Sequence, residues 1–211
     1  MIVAIDGPAA AGKGTLARRL ADALGFAHLD TGALYRAVGL GVLRAGEDPA
    51  DPEAALAVAL ALDPAGLSDP ALREEETGKA ASIVSAHPPV RAALLDFQRN
   101  FAHSPPQGAA GAVVEGRDIG TVVCPDADVK LFIDADLEVR AKRRLEELQR
   151  QDPTVDPDAV RAEMASRDER DRNRAESPLR PAQDAHLLDT TDLDIDGAFE
   201  AAMELIGGTE R

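Results

Sequence analysis

Apolar residues fall into two rhythms along this chain. Short apolar runs at 2–6, 26–30, 112–115, 129–134 and 186–189 have the length of buried strands. Between them, apolar positions recur at helical spacing over 14–24, 33–45, 52–62, 74–86, 89–102, 137–149, 157–170 and 195–206. Short strands alternating with helices predict an α/β fold of three layers: a five-stranded parallel sheet with helices on both faces. Ligands of such sheets bind outside the carboxyl ends of the strands. Each expected strand ends there in an acid: Asp6, Asp30, Glu115, Asp134 or Asp189.

Two segments break the rhythm. Asp63-Pro64-Ala65-Gly66-Leu67-Ser68-Asp69-Pro70 is turn chemistry and reads as an insert or loop. Residues 150–157 are polar and punctuated by Pro153 and Pro157, as expected of the hinge of a mobile lid. The end, 207–211, is expected to fray.

The first turn carries the most chemistry. Gly7-Pro8-Ala9-Ala10-Ala11-Gly12-Lys13-Gly14-Thr15 stands between a short apolar strand and a helix that stops at Gly25. Strand, glycine-rich turn and helix aim backbone N–H groups and a positive helix end at an anion. Lys13 adds a point charge for the β- and γ-phosphates. A nucleoside triphosphate is the expected ligand; the plain alternative is a turn that only joins strand to helix. Gly14 stands where the general pattern has Ser or Thr, and the hydroxyl comes at Thr15. This spelling looks like the loop of small nucleoside monophosphate kinases. It leaves Thr15 as a magnesium ligand, directly or through water, with no firmer metal assignment.

Composition narrows the class. At 211 residues with 45% apolar content, one domain with a real core is expected. Aromatics are only 3%, so Ala, Leu and Val must fill that core. No apolar stretch is long enough to cross a membrane. Asp6, Gly7 and Pro8 break the first apolar run, so it is not expected to be a signal peptide. The single cysteine, Cys124, allows no internal disulfide, fits a reducing cytoplasm, and is expected to pack near a strand end. A net charge of −15 disfavours a nucleic-acid polymer as partner and leans towards a monomer.

Against that acidity stand nineteen arginines and four lysines, and nine of the arginines lie between Arg140 and Arg174. A GC-rich genome accounts for the ratio but not for the clustering. Arginine forks onto phosphate oxygens in a way lysine cannot. Arg167, Asp171 and Arg174 share one helical face, as do Arg170 and Arg174. Arg140, Arg143 and Arg144 are spaced to face one side of the preceding helix. One reading is a lid bringing arginines to a migrating phosphoryl group while excluding water. The other is a solvated helix held by i,i+4 ion pairs.

Two further stretches sit at strand ends. In Glu115-Gly116-Arg117-Asp118-Ile119-Gly120-Thr121, Arg117 suits a phosphate and Asp118 a base amino group, or the two form a simple turn salt bridge. In His28-Leu29-Asp30-Thr31-Gly32-Ala33-Leu34-Tyr35-Arg36, Thr31 is expected to cap the next helix. Thr31 and Arg36 then either surround an acceptor phosphate or form a cap beside a surface arginine.

Together these stretches, followed by Ala175-Glu176-Ser177-Pro178-Leu179 after the arginine run, resemble the bacterial cytidylate kinases. The likeness runs in family order from residue 2 to about residue 206. It implies a P-loop kinase fold in one domain. A core would span about 1–36, 103–145 and 175–206, with a monophosphate-binding arm at about 37–102 and a lid at about 146–174. It implies transfer of the γ-phosphoryl of ATP to CMP or dCMP with Mg2+. Gly7, Pro8, Ala9, Ala10, Ala11, Gly12, Lys13, Gly14 and Thr15 would hold ATP. Ser82, Arg91 and Asp118 match the serine, arginine and aspartate that read cytosine in the family. Thr31, Arg36, Arg117, Arg167 and Arg174 would surround the CMP phosphate, and Asp171 the ribose hydroxyls. Lys13, Arg117, Arg167 and Arg174 would carry the catalytic charge.

Two departures stand out. Thr31 replaces the serine of many members, and the strand-rich insert usual in the arm is cut to a loop near 63–72. Another small P-loop kinase, acting on a different monophosphate or a small metabolite, is the alternative. A guanine-nucleotide switch is disfavoured, because no Asn-Lys-x-Asp motif occurs.

Overall fold

Five strands form one sheet: β1 (Ile2–Asp6), β2 (Ala27–Asp30), β3 (Ala112–Gly116), β4 (Val129–Asp134) and β5 (His186–Asp189), in the order β2-β3-β1-β4-β5. The computed structural model describes residues 1–63, 67–150 and 152–208. Pro64, Ala65 and Gly66 of the expected loop, Gln151 of the expected hinge, and residues 209–211 of the expected frayed end lie outside the described residues. β1 pairs in parallel with β3 and with β4, and β4 with β5. Every residue of β1 and β3 is buried, which requires cover on both faces of the sheet. β5 departs from the expected buried strand: it closes one edge of the sheet, and His186, Leu187 and Asp189 are exposed.

The helices are α1 (Lys13–Leu24), α2 (Thr31–Arg44), α3 (Pro52–Leu60), α4 (Glu75–Val84), α5 (Pro88–His103), α6 (Leu137–Gln149), α7 (Pro157–Asn173) and α8 (Ile195–Gly207). Most lie within two residues of the periodicity. α7 runs three residues beyond its expected end, and the carbonyl of Asp171 in that last turn accepts from the Leu179 N–H at 2.8 Å. Three short elements carry no periodic signal: 3-10 turns at Pro70–Arg73 and Pro106–Gly108, and a π-helix at Ile119–Val123.

Two compact units make up the chain. The first comprises Met1–His28 and Ala102–Arg211. Its core sets Val3, Ile5, Val113, Leu131 and Ile133 of the sheet against Leu16 and Leu20 of α1 and Ala202 and Ile206 of α8. Cys124, the one cysteine of the sequence, is buried in this unit. A second apolar cluster holds α6 to α7 through Ala141, Val160 and Met164, with Ala10 of the glycine-rich turn packed against it.

The second unit, Leu29–Phe101, is helical apart from the end of β2. Its core joins Leu34, Val38 and Val42 of α2 to Ala55 of α3, Val84 of α4 and Leu94 of α5. A Cβ at Gly39 would lie 2.8 Å from the Ala81 backbone nitrogen, so only glycine lets α2 and α4 pack this closely. Among the described residues, no helix is long and apolar enough to cross a membrane.

Candidate functional site

The turn from β1 into α1 is fixed by its backbone. A Cβ on Gly7, at φ 147°, would sit 1.9 Å from the Ile133 carbonyl oxygen, so the turn presses directly onto β4. Ala10 holds φ 57°, uncommon without glycine, with its side chain packed against the α6–α7 cluster. Four of the loop carbonyls are engaged within the protein. Lys13 Nζ donates to Pro8 O at 2.7 Å, Arg140 Nη1 to Ala9 O at 3.3 Å, Thr190 Oγ1 to Ala11 O at 3.0 Å, and the Leu16 N–H to Gly12 O at 3.1 Å. A turn with its carbonyls tied inward presents amide N–H groups and the helix start as its anion-binding side.

Charge deepens that character. Burial is the main force lowering the Lys13 ammonium to about 7; the like charges of Arg117 and Arg167 push the same way, against Glu115 and Asp6. Burial pushes the Asp6 carboxyl up to about 6, against N–H bonds from Gly120 and Ile119, while the charge of Asp118 adds to the rise. Those bonds, 2.8 Å and 2.7 Å long, hang the start of the π-helix on the end of β1. π-Turns are rare and concentrate at functional sites. This one positions Asp118, which is buried and whose carbonyl accepts from the Val122 and Val123 N–H groups.

Arg117 faces α7. Its Nε donates to Asp171 Oδ2 at 3.1 Å, and its Nη1 to the Gly116 carbonyl. Burial would raise the Asp171 carboxyl, but Arg117, Arg174 and Arg167 together outweigh it and hold the group below the ordinary range. Arg167 Nε and Arg174 Nε and Nη2 are shut off from solvent. Lys13, Arg117, Arg167, Asp171 and Arg174 therefore share one electrostatic neighbourhood in the first unit. Thr15 is exposed in the first turn of α1. Among the described residues, no three His, Cys, Asp or Glu side chains are grouped to hold a metal. This donor set fits a cation carried by triphosphate oxygens and a hydroxyl better than one caged by protein.

The other expected arginines divide. Arg140 is buried against Asp168 of α7, and Arg143 donates to the carbonyls of Thr190 and Leu193. Arg144 pairs with Glu147 on the surface, and exposed Arg170 bonds Ser166. Arg140, Arg143 and Arg144 all lie within α6 at the spacing of one face, but the expected common role at a phosphoryl group is corrected: two of the three hold the frame through carbonyls and a carboxylate, and the third is a surface pair.

In the second unit, Asp30 rather than Thr31 caps α2. Its Oδ1 accepts from the Ala33 N–H at 3.1 Å, while Thr31 is the buried first residue of the helix. The expected Thr31 cap is corrected, because the carboxylate one residue earlier takes that N–H. Asp30 Oδ2 also accepts from Arg36 at 2.6 Å. Ser82 is buried on α4, and its carbonyl accepts from Ser85 Oγ. Arg91 donates to the Ser85 carbonyl at 3.2 Å and lies over the Tyr35 ring, 5.5 Å from its centre. Ser82 and Arg91 are thereby tied to one place through Ser85.

Sequence reasoning assigned no role to Tyr35, Thr190, Asp168 or the His28–Glu115 hydrogen bond of 3.0 Å. Tyr35 stands between Thr31 and Arg36, and Thr190 directly follows a strand-end acid, Asp189. Those positions were the available signals. The Asp168–Arg140 pairing had none, because it spans 28 residues.

Known proteins share this architecture and more. The family model for cytidylate kinase matches residues 3–207. A cytidylate kinase of Rhodospirillum rubrum is 59% identical over 206 residues, 98% of this chain and 97% of that protein. One of Paramagnetospirillum magneticum is 61% identical over the same shares. A solved structure of an uncharacterized protein from Eubacterium ventriosum, 15% identical, covers 98% of each chain with a TM-score of 0.58 and shares the fold. With a family model and relatives of this identity matching nearly its whole length, the chain belongs to the cytidylate kinase family.

Proposed function

We infer that this chain transfers the γ-phosphoryl group of ATP to CMP or dCMP, giving ADP and CDP or dCDP. The observation that carries the chemistry is that Arg117 and Arg167 act on the buried Lys13 of the tied-down loop, while both, with Arg174, act on Asp171, to which Arg117 is bonded. Phosphoryl transfer asks little covalent help from a protein; it asks for placed positive charge and excluded water. Residues 7–15 cradle the triphosphate through backbone N–H groups. Lys13 regains its full charge against the β- and γ-oxygens. Arg117, Arg167 and Arg174 balance charge on the transferring group and the acceptor phosphate, with Thr31 and Arg36 on the acceptor side. Asp171 accepts from the ribose hydroxyls. Ser82, Arg91 and Asp118 read the cytosine, the carboxylate accepting from its exocyclic amine.

Mg2+ bound with ATP would be held by phosphate oxygens and the Thr15 hydroxyl, directly or through water, and would supply further neutralisation of phosphate charge. The enzyme works as a cytoplasmic monomer on free nucleotides, without a nucleic-acid polymer or a membrane. Phosphorus NMR of ATP, Mg2+ and CMP with the purified protein tests the reading. Equimolar ADP and CDP are expected. ATP consumption that is indifferent to CMP overturns it.

A further inference from the structure

Asp168 lies in the arginine-rich stretch but has no part in the chemistry above. Its side chain is 5% exposed and pairs at 2.6 Å with Arg140, itself 3% exposed. Its other oxygen, Oδ1, is buried with no hydrogen-bond partner among the described residues, so Arg140 is what compensates its charge. The Arg140 guanidinium is committed three ways. Nη2 goes to Asp168 on α7, Nε at 2.8 Å to the Ala135 carbonyl between β4 and α6, and Nη1 at 3.3 Å to the Ala9 carbonyl of the glycine-rich turn. One side chain thus grips the glycine-rich loop, the turn after β4 and the arginine-bearing helix. An apolar contact runs beside it: Ala10, the next loop residue, packs on the cluster that joins α6 to α7.

We propose that the buried Arg140–Asp168 pair positions helix α7 against the phosphate loop, so that Arg167 and Arg174 stand correctly for transfer. Asp168 is the neighbour of Arg167 and lies one turn before Asp171. The fork is itself held at the Ala9 and Ala135 carbonyls, so its bond to Asp168 ties α7 to the loop with a directionality that a packed apolar contact lacks. Neither residue touches a substrate in this assignment, so both are positioning residues. The inference rests on the proposed transfer reaction.

The test compares Asp168→Asn with the double replacement Arg140→Met/Asp168→Leu. Apolar residues of similar volume commonly restore the stability of a buried ion pair, but they carry no directional bond to Ala9 or Ala135. For Asp168→Asn, kcat and kcat/KM are expected to fall together by about tenfold or more, with KM for CMP and ATP within about threefold. The double variant is expected to melt at or above Asp168→Asn while its kcat stays as low. Full turnover in a folded Asp168→Asn, or turnover regained with stability in the double variant, overturns the proposal and leaves the pair purely structural. If Asp168→Asn unfolds at the assay temperature, the double variant alone decides on the same criterion. A wild-type protein that does not phosphorylate CMP in this assay refutes the reaction itself, a separate result.

Discussion

The donor loop and the Asp30–Arg36 region of the second unit hold their chemistry in opposite ways. At residues 7–15, backbone is pressed against backbone: Gly7 abuts the Ile133 carbonyl, and the loop carbonyls are bonded inside the protein. Around Asp30, Arg36, Arg91 and Tyr35, side chains hold other side chains through a carboxylate, a cation–π contact and half-buried guanidinium groups. The first arrangement cannot relax without moving the sheet. The second can exchange one partner for another, which suits groups that must accept an incoming monophosphate. On the proposed assignment, the loop that would hold the triphosphate is fixed, and the groups that would receive the acceptor are adjustable.

The largest expected effect follows from that contrast. Gly7→Ala puts a methyl 1.9 Å from a carbonyl oxygen at a φ of 147°, so it should destabilise the fold by about 3 kcal/mol or more. Gly32→Ala brings its methyl to 2.9 Å from Asp30 Oδ1 and 3.3 Å from Arg36 Nη1, both side-chain ends that can yield. Its stability should change by no more than about 1 kcal/mol while KM for CMP rises. Thermal melts of the two variants compare them directly; equal losses would erase the distinction.

Next in size, Asp118→Ala should raise KM for CMP about tenfold or more, roughly 1.4 kcal/mol, and leave KM for ATP nearly unchanged. Equal losses for both nucleotides would remove Asp118 from the base. Tyr35→Leu should be smaller. Losing a cation–π contact worth about 0.5–1 kcal/mol raises KM for CMP a few-fold, with melting almost unmoved.

The subtlest effect is a proton. With Lys13 lowered to about 7, the unfolded chain binds up to one proton more than the folded one between that value and 10.5, so the stability cost of burying this amine is full below about 7 and is relieved as pH rises through that window. A bound triphosphate favours the charged amine. At about pH 8, ATP binding should therefore take up a fraction of a proton, seen as a dependence of binding heat on buffer ionisation enthalpy. Lys13→Met should abolish the uptake; an unchanged uptake would assign the proton elsewhere.

Sequence alone made most of the frame legible, because strands and helices here follow their own periodicity. The π-helix at Ile119–Val123 was not, since two N–H bonds to Asp6, more than a hundred residues away, hold its start. The α2 cap was misplaced because Asp30 and Thr31 are both capping residues and only geometry chooses between them. Spacing put Arg140, Arg143 and Arg144 on one face, yet burial sent each to a different partner. The loop at residues 7–15 was readable from local chemistry, whereas Ser82 and Arg91 were reachable only through family likeness.

The most direct measurement is a competition panel: CMP, dCMP, UMP and AMP offered together with ATP and Mg2+, and the diphosphates quantified. CDP and dCDP should dominate. A clear preference for UMP or AMP would contradict the assignment of Ser82, Arg91 and Asp118 to cytosine, and with it the acceptor.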